Sequence, residues 1–80
     1  MFKTDIEFTK STLFIDVEGP LNKRNILKLK KKLYYITEEY SIGEIILDIQ
    51  KGTNIDEGTL YKFLEEYEDL YEINVSINDA

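Results

Sequence analysis

EIILDIQKGTNIDEGTLYKFLEEYEDLY, from Glu44 to Tyr71, changes its hydrophobic period halfway along, and that change decides the fold class. Ile45, Leu47 and Ile49 point one way and Glu44, Asp48 and Gln50 the other, the period of two of a half-buried strand over Glu44–Gln50. Lys51-Gly52-Thr53-Asn54 reads as a loop. Asp56 then stands where an N-cap belongs. Leu60, Phe63, Leu64, Tyr67, Leu70 and Tyr71 mark a helical face, so a helix is expected from about Glu57 to Tyr71. Ile73, Val75 and Ile77 alternate with Asn74, Ser76 and Asn78, which makes a short last strand.

Upstream, Phe2–Thr9 and Thr12–Glu18 also alternate, with Phe2, Ile6 and Phe8 on one face of the first and Leu13, Ile15 and Val17 on one face of the second. Lys10-Ser11 between them suggests a hairpin, although it is not the Asn-Gly type that a two-residue turn prefers. Gly19-Pro20 ends the second strand. From Asn22 to Tyr40, Ile26, Leu29, Leu33, Ile36 and Tyr40 step by three or four, with Leu27 and Tyr34 beside them. This is an amphipathic helix capped by Asn22, with an exit over Ser41 to Gly43.

The order β-β-α-β-α-β predicts an α/β chain of two layers, α+β in arrangement, on a four-stranded mixed sheet. Right-handed crossovers make the last three strands parallel, and the first is antiparallel to the second. Strands alternate rather than run continuously apolar, so both helices lie on one face and the other stays open. That open face carries Lys3, Asp5, Glu7, Asp16, Glu18, Asp48, Asn74 and Ser76, interrupted by Phe14 and Ile46, a candidate contact patch. The expected core places Leu13, Ile15, Val17, Ile45, Leu47, Ile49, Val75 and Ile77 under Ile26, Leu29, Leu33, Leu60, Phe63, Leu64 and Tyr67.

Eighty residues make one domain, 1–80, and 42% hydrophobic against 32% charged residues suits a folded chain. With neither cysteine nor histidine, the sequence has no disulfide, no thiolate nucleophile, no zinc site of the usual kinds and no Ser-His or Cys-His pair. A net charge of -6 repels a phosphate backbone, so a protein partner is expected rather than nucleic acid. No leader pattern opens the chain and no apolar run approaches the roughly 18 residues that span a bilayer, so a cytoplasmic protein without membrane insertion is expected. Charge divides between the helices: Lys23, Arg24, Lys28, Lys30, Lys31 and Lys32 stand on the first, while Glu57, Glu65, Glu66, Glu68, Asp69 and Glu72 dominate the second. Side by side they compensate each other.

None of the carboxylates is accompanied by a nucleophile, a metal cluster or a glycine-rich phosphate cradle, so no enzyme, cofactor or metal is expected. Asp16 and Asp48 read as solvated carboxylates of the open face. The loop from Lys51 to Asp56 lies at the carboxyl end of a parallel strand, where α/β units place binding sites. Asp56 and Glu57 already occupy the positive end of the helix dipole there, which disfavours a nucleotide.

Two stretches resemble the STAS domain of anti-sigma-factor antagonists. Thr12-Leu13-Phe14-Ile15-Asp16-Val17-Glu18-Gly19-Pro20-Leu21-Asn22 is similar to the family's second strand and strand-end glycine. Ile45 to Gln50, followed by Asn54-Ile55-Asp56-Glu57-Gly58-Thr59-Leu60, is similar to its strand, short loop and Ile-Asp-Ser-Ser-Gly-Leu helix start. The likeness spans roughly Asp5 to Ile77.

The resemblance puts Asp56 before the phosphorylated serine, Glu57 on the phosphoacceptor itself and Leu60 on the leucine after the glycine, with Gly58 and Thr59 departing from the pattern. Phosphorylation at that position is therefore excluded, and Glu57 either imitates phosphoserine with half its charge or marks a lost switch. The resemblance implies a partner-binding segment of Thr53, Asn54, Asp56, Glu57, Gly58, Thr59 and Leu60, together with the exposed side of the second helix. It implies a partner-switching or scaffold role in bacterial regulation, with an anti-sigma-factor-like kinase or another regulator as partner. A homodimer and an accessory subunit docking on a membrane transporter ATPase are the other readings. Family members usually continue through another helix after the fourth strand, which leaves a minimal fold, a shortened chain or a fold completed by a partner.

Overall fold

The computed structural model describes residues 1–79 and runs β1 (Lys3–Thr9), β2 (Thr12–Pro20), α1 (Lys23–Glu39), β3 (Glu44–Thr53), α2 (Glu57–Tyr71) and β4 (Asn74–Asn78). The strands lie in the order β1-β2-β3-β4, with β1 antiparallel to β2 and the next two pairs parallel. The expected α/β two-layer architecture and mixed sheet are what the chain adopts.

Lys10 and Ser11 both take positive φ, 48° and 67°. They join β1 to β2 in a two-residue turn that leaves Thr9 opposite Thr12. Asn22 caps α1 by accepting the Asn25 amide at 2.9 Å. The inward residues of β2 and β3 (Leu13, Ile15, Val17, Ile45, Leu47 and Ile49) are buried beneath Ile26, Leu29 and Leu33 of α1 and Leu60, Phe63, Leu64 and Tyr67 of α2. Val75 and Ile77 are only half buried against this core, because β4 is a sheet edge. Leu21 and Ile73, unremarked in the sequence, complete it.

Two boundaries differ from expectation. β2 continues through Gly19 and Pro20 instead of stopping at Glu18, and Lys51-Gly52-Thr53 is strand rather than loop. Past a register shift beyond Asp16 the two extensions pair with each other, Glu18 with Lys51, Gly19 with Gly52 and Pro20 with Thr53. Gly19 permits this at φ +96°, where a side chain would be strained and a Cβ would lie 2.2 Å from the Met1 carbonyl oxygen.

The helices touch through aromatic rings along their centre. Tyr34 stacks on Tyr67 with centroids 5.9 Å apart and meets Phe63 and Tyr71 edge-on. The Thr37 and Tyr67 hydroxyls share a hydrogen bond, and Tyr71 donates to Glu38 at 3.0 Å. Burial pushes the Tyr67 phenol above its usual range, so it stays neutral.

Candidate functional site

The segment from Thr53 to Thr59 leaves the end of β3 and enters α2. It is stitched at both ends to Leu21 in the β2–α1 connection. The Leu21 amide donates to the Thr53 carbonyl and the Asp56 amide donates to the Leu21 carbonyl, each at 2.9 Å. The fully buried Leu21 side chain plugs the space beneath. Gly52 lets this packing close, since a Cβ there would meet the Ile49 carbonyl oxygen at 3.1 Å and the Ile55 and Leu21 methyls at 3.4 and 3.5 Å. Sequence reasoning missed Leu21 because a single apolar residue between a proline and a cap has no period to reveal it.

Asn54 takes the left-handed conformation at φ 45°, a region asparagine tolerates, and so turns the chain toward the helix. Asp56 caps α2: one carboxylate oxygen accepts the Thr59 amide at 3.2 Å and the other accepts the Thr59 hydroxyl at 2.9 Å. The Thr59 amide, then the Thr59 hydroxyl and the nearby Lys23 ammonium hold this carboxyl below its ordinary range, against a smaller opposing effect of burial. Its charge is thus committed to the helix start.

Glu57 has no such duty. It is exposed in the first turn, as are Thr53, Asn54 and Gly58 around it. Thr59 is half buried by its bonds to Asp56. Leu60 faces the other way and is fully buried, so it anchors α2 to the sheet and offers no side chain to a partner. A groove of about 380 Å³ adjoins the site between the helices, lined by Lys23, Lys30 and Lys62 against a single acid, Glu66, with Ile26 and Leu27 among its apolar residues. The anionic tip at Glu57 thus has a cationic shoulder.

On the far face of the sheet Phe14, 40% exposed, pairs with the half-buried Ile46. Beside them Asp5, Asp16 and Asp48 stand opposite one another across three strands. Asp48 accepts the Gln50 amide at 3.0 Å. Among the described residues no group of His, Cys, Asp or Glu is arranged to hold a metal ion. No helix among them is long and apolar enough to cross a membrane.

Similar chains agree in shape and not in sequence. A STAS-domain antisigma-factor antagonist from Rhodobacter sphaeroides matches at TM-score 0.70 and 13% identity, over 96% of this chain and 85% of that one. The anti-sigma factor antagonist SpoIIAA in its unphosphorylated form matches at TM-score 0.75 and 14% identity, over 96% of this chain and 71% of that one. The fold is that of a STAS domain. A structure described as Mglu contains a region of the same shape, at TM-score 0.75 and 14% identity over 95% of this chain, which spans 19% of that longer one. No family model matches the sequence, and no curated protein matches it.

Proposed function

We propose that the chain is a non-enzymatic protein-interaction domain with a partner-switching or scaffold role in bacterial regulation. Its contact surface is the start of α2, formed by Thr53, Asn54, Asp56, Glu57, Gly58 and Thr59, and continues along the exposed side of that helix. One observation carries this reading: a helix start held from behind by Leu21 and by the Asp56 cap, with Glu57 left in water. A surface that is rigid before binding loses little ordering entropy on contact.

The two antagonists of the same fold support a protein partner of the anti-sigma-factor kind. The chain's net negative charge argues against nucleic acid. At Glu57 a carboxylate stands where the STAS resemblance places a phosphorylated serine, so any exchange of partners at this surface runs without phosphorylation of that position.

Co-purification with the tagged chain from its native cell, identified by mass, tests the assignment. A regulatory kinase or anti-sigma factor retained by the wild type and lost with Glu57→Lys is expected. Retention of a transporter ATPase instead would replace the regulatory role with that of an accessory subunit.

A further inference from the structure

The seam between α1 and α2 is filled over one half and open over the other. Toward the C-terminal ends Tyr34 packs against Tyr67 and Tyr71, and Tyr71 donates to Glu38. Toward the N-terminal ends lies the groove of about 380 Å³. Each helix supplies it with residues i, i+3, i+4 and i+7, α1 over 23–30 and α2 over 59–66. Seven residues of rise make it about 10 Å long, enough to lie along two turns of a docked helix or a short extended segment.

Its floor is apolar and its rims are cationic. Ile26 and Phe63 are almost wholly buried at its base, and Leu27 is 50% exposed along it. Lys23 and Lys30 stand on one rim and Lys62 on the other, with Glu66 as the one acid of the lining. The Lys30 ammonium is held 5.6 Å from the centre of the Tyr34 ring, an attraction that fixes where it points.

Lys62 decides what the groove receives. Mutual compensation of a basic α1 and an acidic α2 would set carboxylates of α2 against the lysines of α1. α2 has five acids and a single lysine, and that lysine is the residue placed in the groove with Lys23 and Lys30. Three like charges gathered around one cleft repel one another in the free chain, and an anion seated among them turns that repulsion into attraction.

We infer that this groove docks an acidic segment of the protein partner, with a large apolar side chain between its carboxylates. A phosphate chain would bring charge without an apolar group to cover Leu27 and Phe63. A purely apolar ligand would cover them and leave three ammonium groups without an anion. An acidic segment with an apolar anchor answers both, as in the docking of an amphipathic helix into a groove. The chain as a whole carries a net charge of -6, so such a partner is attracted here against the general repulsion, which fixes where it binds. Thr59 belongs both to the groove and to the cap of α2, so the groove continues the proposed contact surface, and the inference rests on that reading.

Amide spectra of the isotope-labelled full chain, titrated with three synthetic peptides of about twelve residues, roughly three helical turns, test this. The first peptide combines glutamate and aspartate with leucine and phenylalanine. The second replaces its apolar residues by serine, and the third replaces its acids by lysine. Only the first should bind saturably below about 1 mM, with shifts confined to residues 23–30 and 59–66 and their neighbours. Lys62→Glu should weaken that binding at least about fivefold. Lys28→Glu makes the same change of charge on the exposed outer face of α1 and should alter it less than about twofold. Both lysines are exposed, so neither change touches the core. Glu57→Lys removes an acid from the helix start and should leave the peptide bound at least as tightly, so a failure of the groove and a failure of the surface assigned to Glu57 are read separately. No saturable binding of the first peptide, equal binding of the second or third, or equal losses in Lys62→Glu and Lys28→Glu would overturn the inference.

Discussion

Asp56 and Glu57 are adjacent carboxylates with different duties, and single substitutions separate them. Asp56 binds its proton less readily in the folded chain than in the unfolded one, because the Thr59 amide and hydroxyl favour its charged form. Its stabilising effect is therefore complete above about pH 4, the ordinary carboxylate value, and fades as pH falls through its lower folded value. Asp56→Ala should lower the thermal midpoint at pH 7, and the gap to wild type should narrow steadily below pH 4. A gap that stays constant with pH would mean the cap acts without its charge. Gly58 offers a complementary case. A Cβ there would meet only the Asp56 carboxylate, at 3.9 Å, and φ is not positive, so Gly58→Ala should raise stability by about 0.4–1 kcal/mol through the unfolded chain. Chemical denaturation measures this directly, and a loss of stability would show a strain that the backbone does not display.

The strands and helices show which signals a sequence carries at the level of the element. Asn22 and Asp56 were legible as caps because each precedes a periodic run and reaches the third residue beyond it. The alternation of β2 and β3 was legible because one face is covered and the other is wet. The shared extension of these strands was not, since Lys51-Gly52-Thr53 is loop-like taken alone and becomes strand only through Glu18-Gly19-Pro20 across from it. That pairing depends on Gly19 at φ +96°, packed against the Met1 carbonyl. Gly19→Ala should accordingly cost more than the roughly 1 kcal/mol expected of unfavourable φ alone, because the N-terminal backbone must also move. A thermal melt showing a neutral Gly19→Ala would contradict this account of how β2 continues. Asn25 escaped notice for a similar reason: it is buried, and its side-chain amide donates to the Pro20 carbonyl at 2.9 Å, a contact that no periodicity announces. At the site, Asp56 and Glu57 were placed correctly as cap and exposed first-turn residue. The burial of Leu60 followed from its membership of the helix's apolar face, which conflicts with its use as a contact residue.

Across the whole molecule, a core that sits between two helices and the inner face of β2 and β3 predicts a gradient of stability. Amide exchange should be slowest in β2 and β3, where Leu13, Ile15, Ile45 and Leu47 are each at most 1% exposed. It should be faster in β4 and β1, because edge strands share their ladders on one side only. Equal protection in all four strands would require cover on the edges that the fold does not provide. Under the proposed function, folding and recognition occupy different parts of the molecule: the core lies beneath the helices, and Glu57 projects from the end of one of them into water. Placing a cation in that first turn opposes the helix dipole and should cost roughly 0.3–1 kcal/mol of stability, which leaves the chain folded. Charge reversal at a protein contact acts on affinity much more strongly. The deciding measurement is calorimetric titration of the co-purified partner into wild type and Glu57→Lys, with thermal midpoints taken on the same samples. The predicted result is a large loss of affinity with a midpoint lowered only slightly, and unchanged affinity with a lowered midpoint would contradict the assignment of this helix start as the contact surface.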